Sequence, residues 1–166
     1  GAFARAKAYA ISQNGNAAEA DLQAALAHTP DPRIRTSILL TMGSNRELLL
    51  HDDEGALRAY RRNFQSKTNI GGADEFHSVQ KAAELLMRQG KFNEALATLN
   101  VVDFEKVTGF WRSVMLLSRG DTLAEAGMKM KALADYNAVL ADKNTRAALR
   151  KRAEERISRL NQSPEK

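Results

Sequence analysis

The chain of 166 residues contains no cysteine, which excludes structural disulfides, thiolate metal ligands and cysteine nucleophiles together. Proline occurs three times and glycine ten times, gathered at a few points, so little of the sequence resists helix formation. No apolar run reaches the roughly 18 residues that a membrane-spanning helix needs, and no period-2 alternation is long enough for a sheet. Nucleophile elbows, phosphate-cradling glycine loops and calcium loops are all missing. Gly71-Gly72 has no third glycine or lysine-serine after it and reads as a flexible connection. His28, His51 and His77 are scattered, never at metal-ligand spacing, and each reads as a surface or turn residue. No catalytic residue, metal or cofactor is therefore expected. The opening Gly1-Ala2-Phe3 carries no basic-then-apolar leader, from which we expect a processed form or a piece of a longer protein.

What is present is alanine, leucine and charge: 43% of the residues are apolar and 27% charged, as in a water-soluble domain. The net charge of +5 is local. Eight basic and three acidic residues lie between Lys143 and Lys166, whereas residues 1–142 carry 17 of each sign. Apolar recurrence at i, i+3, i+4 and i+7 predicts helices near 2–13, 17–28, 32–50, 53–66, 74–89, 93–101, 108–126, 129–142 and 145–161. Asn14-Gly15-Asn16 supplies a turn that ends one helix and caps the next, Pro32 can open a helix at its first turn, and Asp52-Asp53 and Asn93 are expected N-caps. Met42-Gly43-Ser44 is a point where the long third helix could kink or break. Thr68 to Ala73 is the one long connection, with two expected hairpins on either side.

The helices repeat in pairs. Alignment on Gly15, His51, Gly90 and Gly127 gives spacings of 36, 39 and 37. Five residues after each stands an alanine (Ala20, Ala56, Ala95, Ala132), and seven before each a small residue (Ala8, Ser44, Ala83, Gly120). Small side chains at facing points let two antiparallel helices approach closely. Larger residues recur beside them: Leu40, Val79 and Leu116 on the first helices, Tyr60, Leu99 and Tyr136 on the second.

Gly90-Lys91-Phe92-Asn93-Glu94-Ala95-Leu96, and Gly120 to Gly127 followed by Ala132-Leu133-Ala134-Asp135-Tyr136, resemble tetratricopeptide repeats. The resemblance is fullest over about 75–140. It departs at His51, where a turn glycine is usual, and at Glu47, where a large apolar residue is. It implies an all-α fold, an α-α superhelix (right-handed solenoid) of about four antiparallel helix pairs over residues 1–142. Residues 143–166 would add a basic C-terminal capping helix and tail, with Leu149, Ala153, Ile157 and Leu160 as its apolar stripe. The implied function is a non-catalytic scaffold that binds a protein or peptide on the concave face lined by the first helix of each pair. By resemblance that face carries Arg5, Tyr9, Gln13, Thr41, Asn45, Leu49, His77, Gln80, Glu84, Arg88, Leu117 and Asp121. Members that clamp a chaperone's C-terminal carboxylate use a lysine and asparagines there; only Asn45 matches, so no such clamp is expected.

Two other readings remain open at this stage. The chain could be an accessory domain of a larger bacterial-type enzyme, docking on its own catalytic domain. Alternatively the basic helix over 145–161 could bind a polyanion, although no recognition motif accompanies its charges. An open solenoid end would also allow self-association. Phe104, Phe110 and Trp111, before the fourth pair, are expected in the core, and exposure of Trp111 would instead mark a contact surface. Arg119-Gly120-Asp121 spells an adhesion tripeptide but falls inside a predicted helix, where packing accounts for Gly120.

Overall fold

Helix starts in this chain are set by short polar side chains that satisfy otherwise orphaned backbone amides. Asn14 accepts from the Ala17 amide at 3.2 Å, Asp31 from Arg33 at 2.8 Å with Pro32 following as the first helical residue, and Asp52 from Gly55 at 2.8 Å. The computed structural model describes residues 1–162. Among them it contains helices only: α1 (Ala2–Ile11), α2 (Gly15–His28), α3 (Pro32–Leu48), α4 (Asp53–Arg61), α5 (Ala73–Arg88), α6 (Phe92–Leu99), α7 (Gly109–Glu125), α8 (Lys129–Ala141) and α9 (Ala147–Gln162). Every predicted helix is present, and α3 runs unbroken through Met42-Gly43-Ser44. Asn93 is not a cap but the second residue of α6, whose N-cap is Lys91. The end of the expected tail, from residue 163 on, lies outside the described residues.

The turns after α1, α5 and α7 share one hydrogen-bonding pattern. Gly90 and Gly127 sit at positive φ, of 72° and 78°, and the next amide reaches back five residues: Lys91 to the Leu86 carbonyl at 2.9 Å, Met128 to Leu123 at 2.8 Å. This is the Schellman closure, in which glycine costs little. In the first pair the positive φ (62°) belongs to Gln13, and Asn14 reaches back to Tyr9 at 2.8 Å. Gly15 is therefore not the turn residue; it is the first residue of α2. A Cβ there would lie 2.9 Å from the Leu49 Cβ and 2.8 Å from Leu50, so this glycine serves a close approach to the end of α3. In the second pair His51 takes the positive φ (52°), but Asp52 reaches back six residues, to Arg46, at 2.8 Å, so the turn holds one extra residue.

Counting from these hydrogen bonds corrects the register. The small residues three before each acceptor are Ala6, Gly43, Ala83 and Gly120, not Ala8 and Ser44 in the first two pairs. Four residues after each turn donor stand Ala18, Ala56, Ala95 and Ala132, all fully buried, whereas Ala8 and Ala20 are exposed. Eight after it stand Leu22, Tyr60, Leu99 and Tyr136, each at most 1% exposed.

The chain separates into two compact units, one of residues 1–68 and 72–85, the other of residues 69–71 and from 86 onward. In the first, α1 packs on α2 and α3 on α4, and the core joins Ala6, Leu22, Ala25, Leu26, Ile38, Leu39, Met42 and Ala59. Tyr60 lies over Gly43, leaving no room for a Cβ, and donates its hydroxyl to buried Glu47 at 2.7 Å. That contact explains the acidic residue where a large apolar one was expected. Glu19 ties α2 to α3 through Arg46, whose guanidinium also donates to the Gly55 carbonyl at 3.0 Å. Asn63, after α4, donates to Ser78 of α5 at 2.8 Å. In the second unit α7 packs against α6 and α8, and α9 against α7 and α8. Leu149 and Ala153 of α9 are buried, while Ile157 and Leu160 are half-buried.

Candidate binding surface

The twelve residues expected on the partner face differ in what they can offer. In the first unit Arg5 is exposed and paired with Asp21 at 2.9 Å, Tyr9 and His77 are exposed, and Gln13 forms the α1–α2 turn. Thr41 donates to the Ser37 carbonyl at 2.9 Å, Gln80 to Glu84 at 3.1 Å, and Leu49 rests on Gly15. Asn45 is a correction. Only 2% exposed, it spends its amide on the Gly15 carbonyl at 3.0 Å and on Glu19, and so serves packing rather than a partner. In the second unit Arg88 is exposed, whereas Leu117, only 6% exposed, is a core residue and likewise inaccessible. Both lie on the inward side of their helices, a distinction that a repeat pattern alone does not resolve.

Asp121 is the expected residue around which the structure builds most. It projects from α7 into a cleft of about 690 Å³ that is also lined by Met87, Glu125, Tyr136, Arg156, Arg159 and Leu160. Its Oδ1 accepts the Tyr136 hydroxyl at 2.8 Å, and Arg156 of α9 reaches both of its oxygens, at 2.6 and 2.9 Å. Burial first, and then the bond to Asp121, push the Tyr136 phenol well above its ordinary value; the Asp121 hydrogen bond raises Arg156. The phenol is thus a fixed donor, and the three side chains form a neutralised, preorganised floor. Glu125 is exposed at the rim. The Met87 sulfur lies 3.0 Å from the Thr122 hydroxyl, which also reaches the Ser118 carbonyl at 2.9 Å.

Gly120 is buried because Tyr136 covers it: a Cβ would stand 2.5 Å from the ring. Arg119 makes a two-point bond to Asp135 at 2.8 and 2.7 Å and lies 3.8 Å from the Phe104 ring centroid. Every residue of the adhesion tripeptide is thus engaged within the fold. Of the cations assigned to a polyanion surface, Arg156 holds Asp121, and Arg150 donates to the Leu140 and Asp142 carbonyls at the end of α8. Arg156 and Glu125 were missed as cleft residues. The first read as part of a solvated basic face, and the second carries no pattern of its own. Among the aromatics expected in the core, Phe110 is 40% exposed and Trp111 half-buried, both in the first turn of α7.

No family model and no curated protein matches the sequence. Among solved structures, the chain is similar to a tetratricopeptide repeat protein from Parabacteroides merdae, with a TM-score of 0.73 at 17% identity over 96% of this chain. The fold is tetratricopeptide-repeat-like and all-helical over the described residues, as the resemblance implied. The chain spans 59% of the length of that neighbour.

Proposed function

We propose that this chain is a non-catalytic scaffold module that holds a protein or peptide segment along the first helices of successive hairpins. In this reading about four antiparallel pairs coil into a right-handed solenoid closed by α9, and the cleft between α7, α9 and the end of α5 is where a segment is gripped. The observation that carries it is the Asp121 site. An expected partner-face residue lines a cleft whose polar floor is internally satisfied and whose rim carries both an apolar wall, Met87 and Leu160, and an exposed charge, Glu125. A floor already hydrogen-bonded costs a ligand no reorganisation, and apolar walls with a few fixed polar groups suit an extended peptide.

The test is selection of peptides from a display library on the intact chain, followed by anisotropy titration of an enriched peptide against the native protein and Glu125→Arg. The rim substitution should weaken the peptide by about tenfold, the scale of one lost anchor, with circular dichroism unchanged. Equal affinity for both proteins would count against the cleft, and failure to enrich any peptide would count against the scaffold reading.

A further inference from the structure

The start of α7 and the α8–α9 connection meet in an exposed aromatic and cationic patch that the cleft does not use. Phe110 and Trp111 stand edge to face, their ring centroids 5.3 Å apart. Arg146 lies over the Phe110 ring at 4.6 Å. The arrangement is held from below: Ser113 and Thr145 share a hydrogen bond at 3.3 Å, Thr145 donates to the Val139 carbonyl at 2.8 Å, and Arg150 fastens the end of α8. Arg146 has no carboxylate partner among the described residues, and neither does Lys143 in the same connection. A guanidinium held over a ring without a carboxylate partner keeps N–H donors for a carboxylate, which it can meet in two-point geometry. The exposed Phe110 beside it supplies the apolar half of an anchor.

We propose that Phe110 and Arg146, beside Trp111, form a docking site for an acidic peptide segment carrying an aromatic or large apolar side chain. A carboxylate of the segment pairs with Arg146, while its apolar side chain packs on the exposed Phe110. Charge complementarity and the small extent of the patch select this occupant over a nucleic acid. A nucleic-acid strand draws its affinity from several phosphate contacts in a row, but Arg150 and Arg156 are turned to carbonyls and to Asp121. Lys151 and Arg152 lie five and six positions beyond Arg146, which at 3.6 residues per turn places them on the other side of α9. The patch is about 16 Å from Asp121 along α7, at 1.5 Å per residue, so it is a second site and does not depend on the cleft.

Trp111 is the only tryptophan in the chain, so its emission reports on this patch alone. The experiment titrates the full chain with a short peptide in which one phenylalanine is flanked by glutamates, then with its glutamine analogue and with a single-stranded oligothymidylate. The acidic peptide should bind saturably with a change in Trp111 emission. Arg146→Gln and Phe110→Ala should each weaken it on the order of tenfold, Lys151→Gln should not, and the glutamine analogue should bind far more weakly. Both informative side chains are exposed, and circular dichroism verifies that the variants fold. Tighter binding of the oligonucleotide with the same emission change, equal peptide binding to Arg146→Gln, or no binding of the acidic peptide would each overturn the proposal.

Discussion

Replacing Gly120 by alanine should destabilise the protein, although by intrinsic preference alanine is the better helix former. In the interior of α7 the exchange is worth roughly 0.5–1 kcal/mol in favour of alanine. Against this, the new methyl group would stand 2.5, 2.9 and 3.1 Å from three ring atoms of Tyr136, closer than carbon atoms pack. The ring cannot swing away freely, because it is 1% exposed and its hydroxyl is bonded to Asp121 at 2.8 Å. Overpacking of a closed site costs about 1–3 kcal/mol, and loss of a bond to a carboxylate adds about 1.5–3 kcal/mol. The net expectation is a loss of about 1.5–5.5 kcal/mol, centred near 3.5 kcal/mol, which corresponds to about 7–14 °C in Tm for a chain of this size. The repeats suggest the rescue. Glycine faces tyrosine in two pairs (Gly43 with Tyr60, Gly120 with Tyr136), and Ala6 and Leu22 hold the equivalent places in the first. Gly120→Ala combined with Tyr136→Leu should therefore be less destabilised than the sum of its single changes. Urea unfolding followed by far-ultraviolet circular dichroism measures all four proteins. A neutral or stabilising Gly120→Ala, or strict additivity in the double variant, would refute the packing argument.

Two further outcomes follow from groups held by the same hairpins. The raised Tyr136 phenol keeps its proton when folded while an unfolded tyrosine loses it near pH 10, so stability should fall as pH rises above 10. The slope from this one group is about 1.4 kcal/mol per pH unit, and Tyr136→Phe should flatten it in urea titrations at pH 9 to 11. A slope unchanged by that substitution would mean that the phenol ionises freely. Asp52→Ala removes the side-chain cap of α4, which accepts from Gly55 at 2.8 Å. The expected cost is about 1 kcal/mol, read from the urea midpoint; no change would show that the turn bond from Asp52 to Arg46 holds the helix start alone.

Helix placement was legible because alanine-rich periodic stretches and a few caps dominate this sequence, and because small residues recur wherever hairpins close. The register of the first pair was not. Gly15 attracted the alignment as the obvious turn residue, but its lack of a side chain answers the approach of Leu49 and Leu50, a contact thirty-odd positions away in sequence. Gln13 accepts positive φ without any signal in its residue type. The extra residue before His51 likewise moved the buried small position from Ser44 to Gly43. Of the expected partner face, Asp121 was readable because it follows the turn pattern. The cleft around it was not, since Arg156 and Leu160 come from a helix outside the repeat. Periodicity also does not tell which side of a first helix faces its neighbour, which is why Asn45 and Leu117 were placed on the surface.

The five methionines offer the most direct reading of where a partner segment sits. Met42 and Met115 are buried, Met128 and Met130 are exposed at and just beyond the α7–α8 turn, and Met87 forms the wall of the Asp121 cleft. With methyl-labelled methionine, titration of a display-selected peptide should shift the Met87 resonance and leave Met130 in place. A shift of Met130 or Met128 with Met87 unmoved would contradict the assignment of the cleft as the partner site.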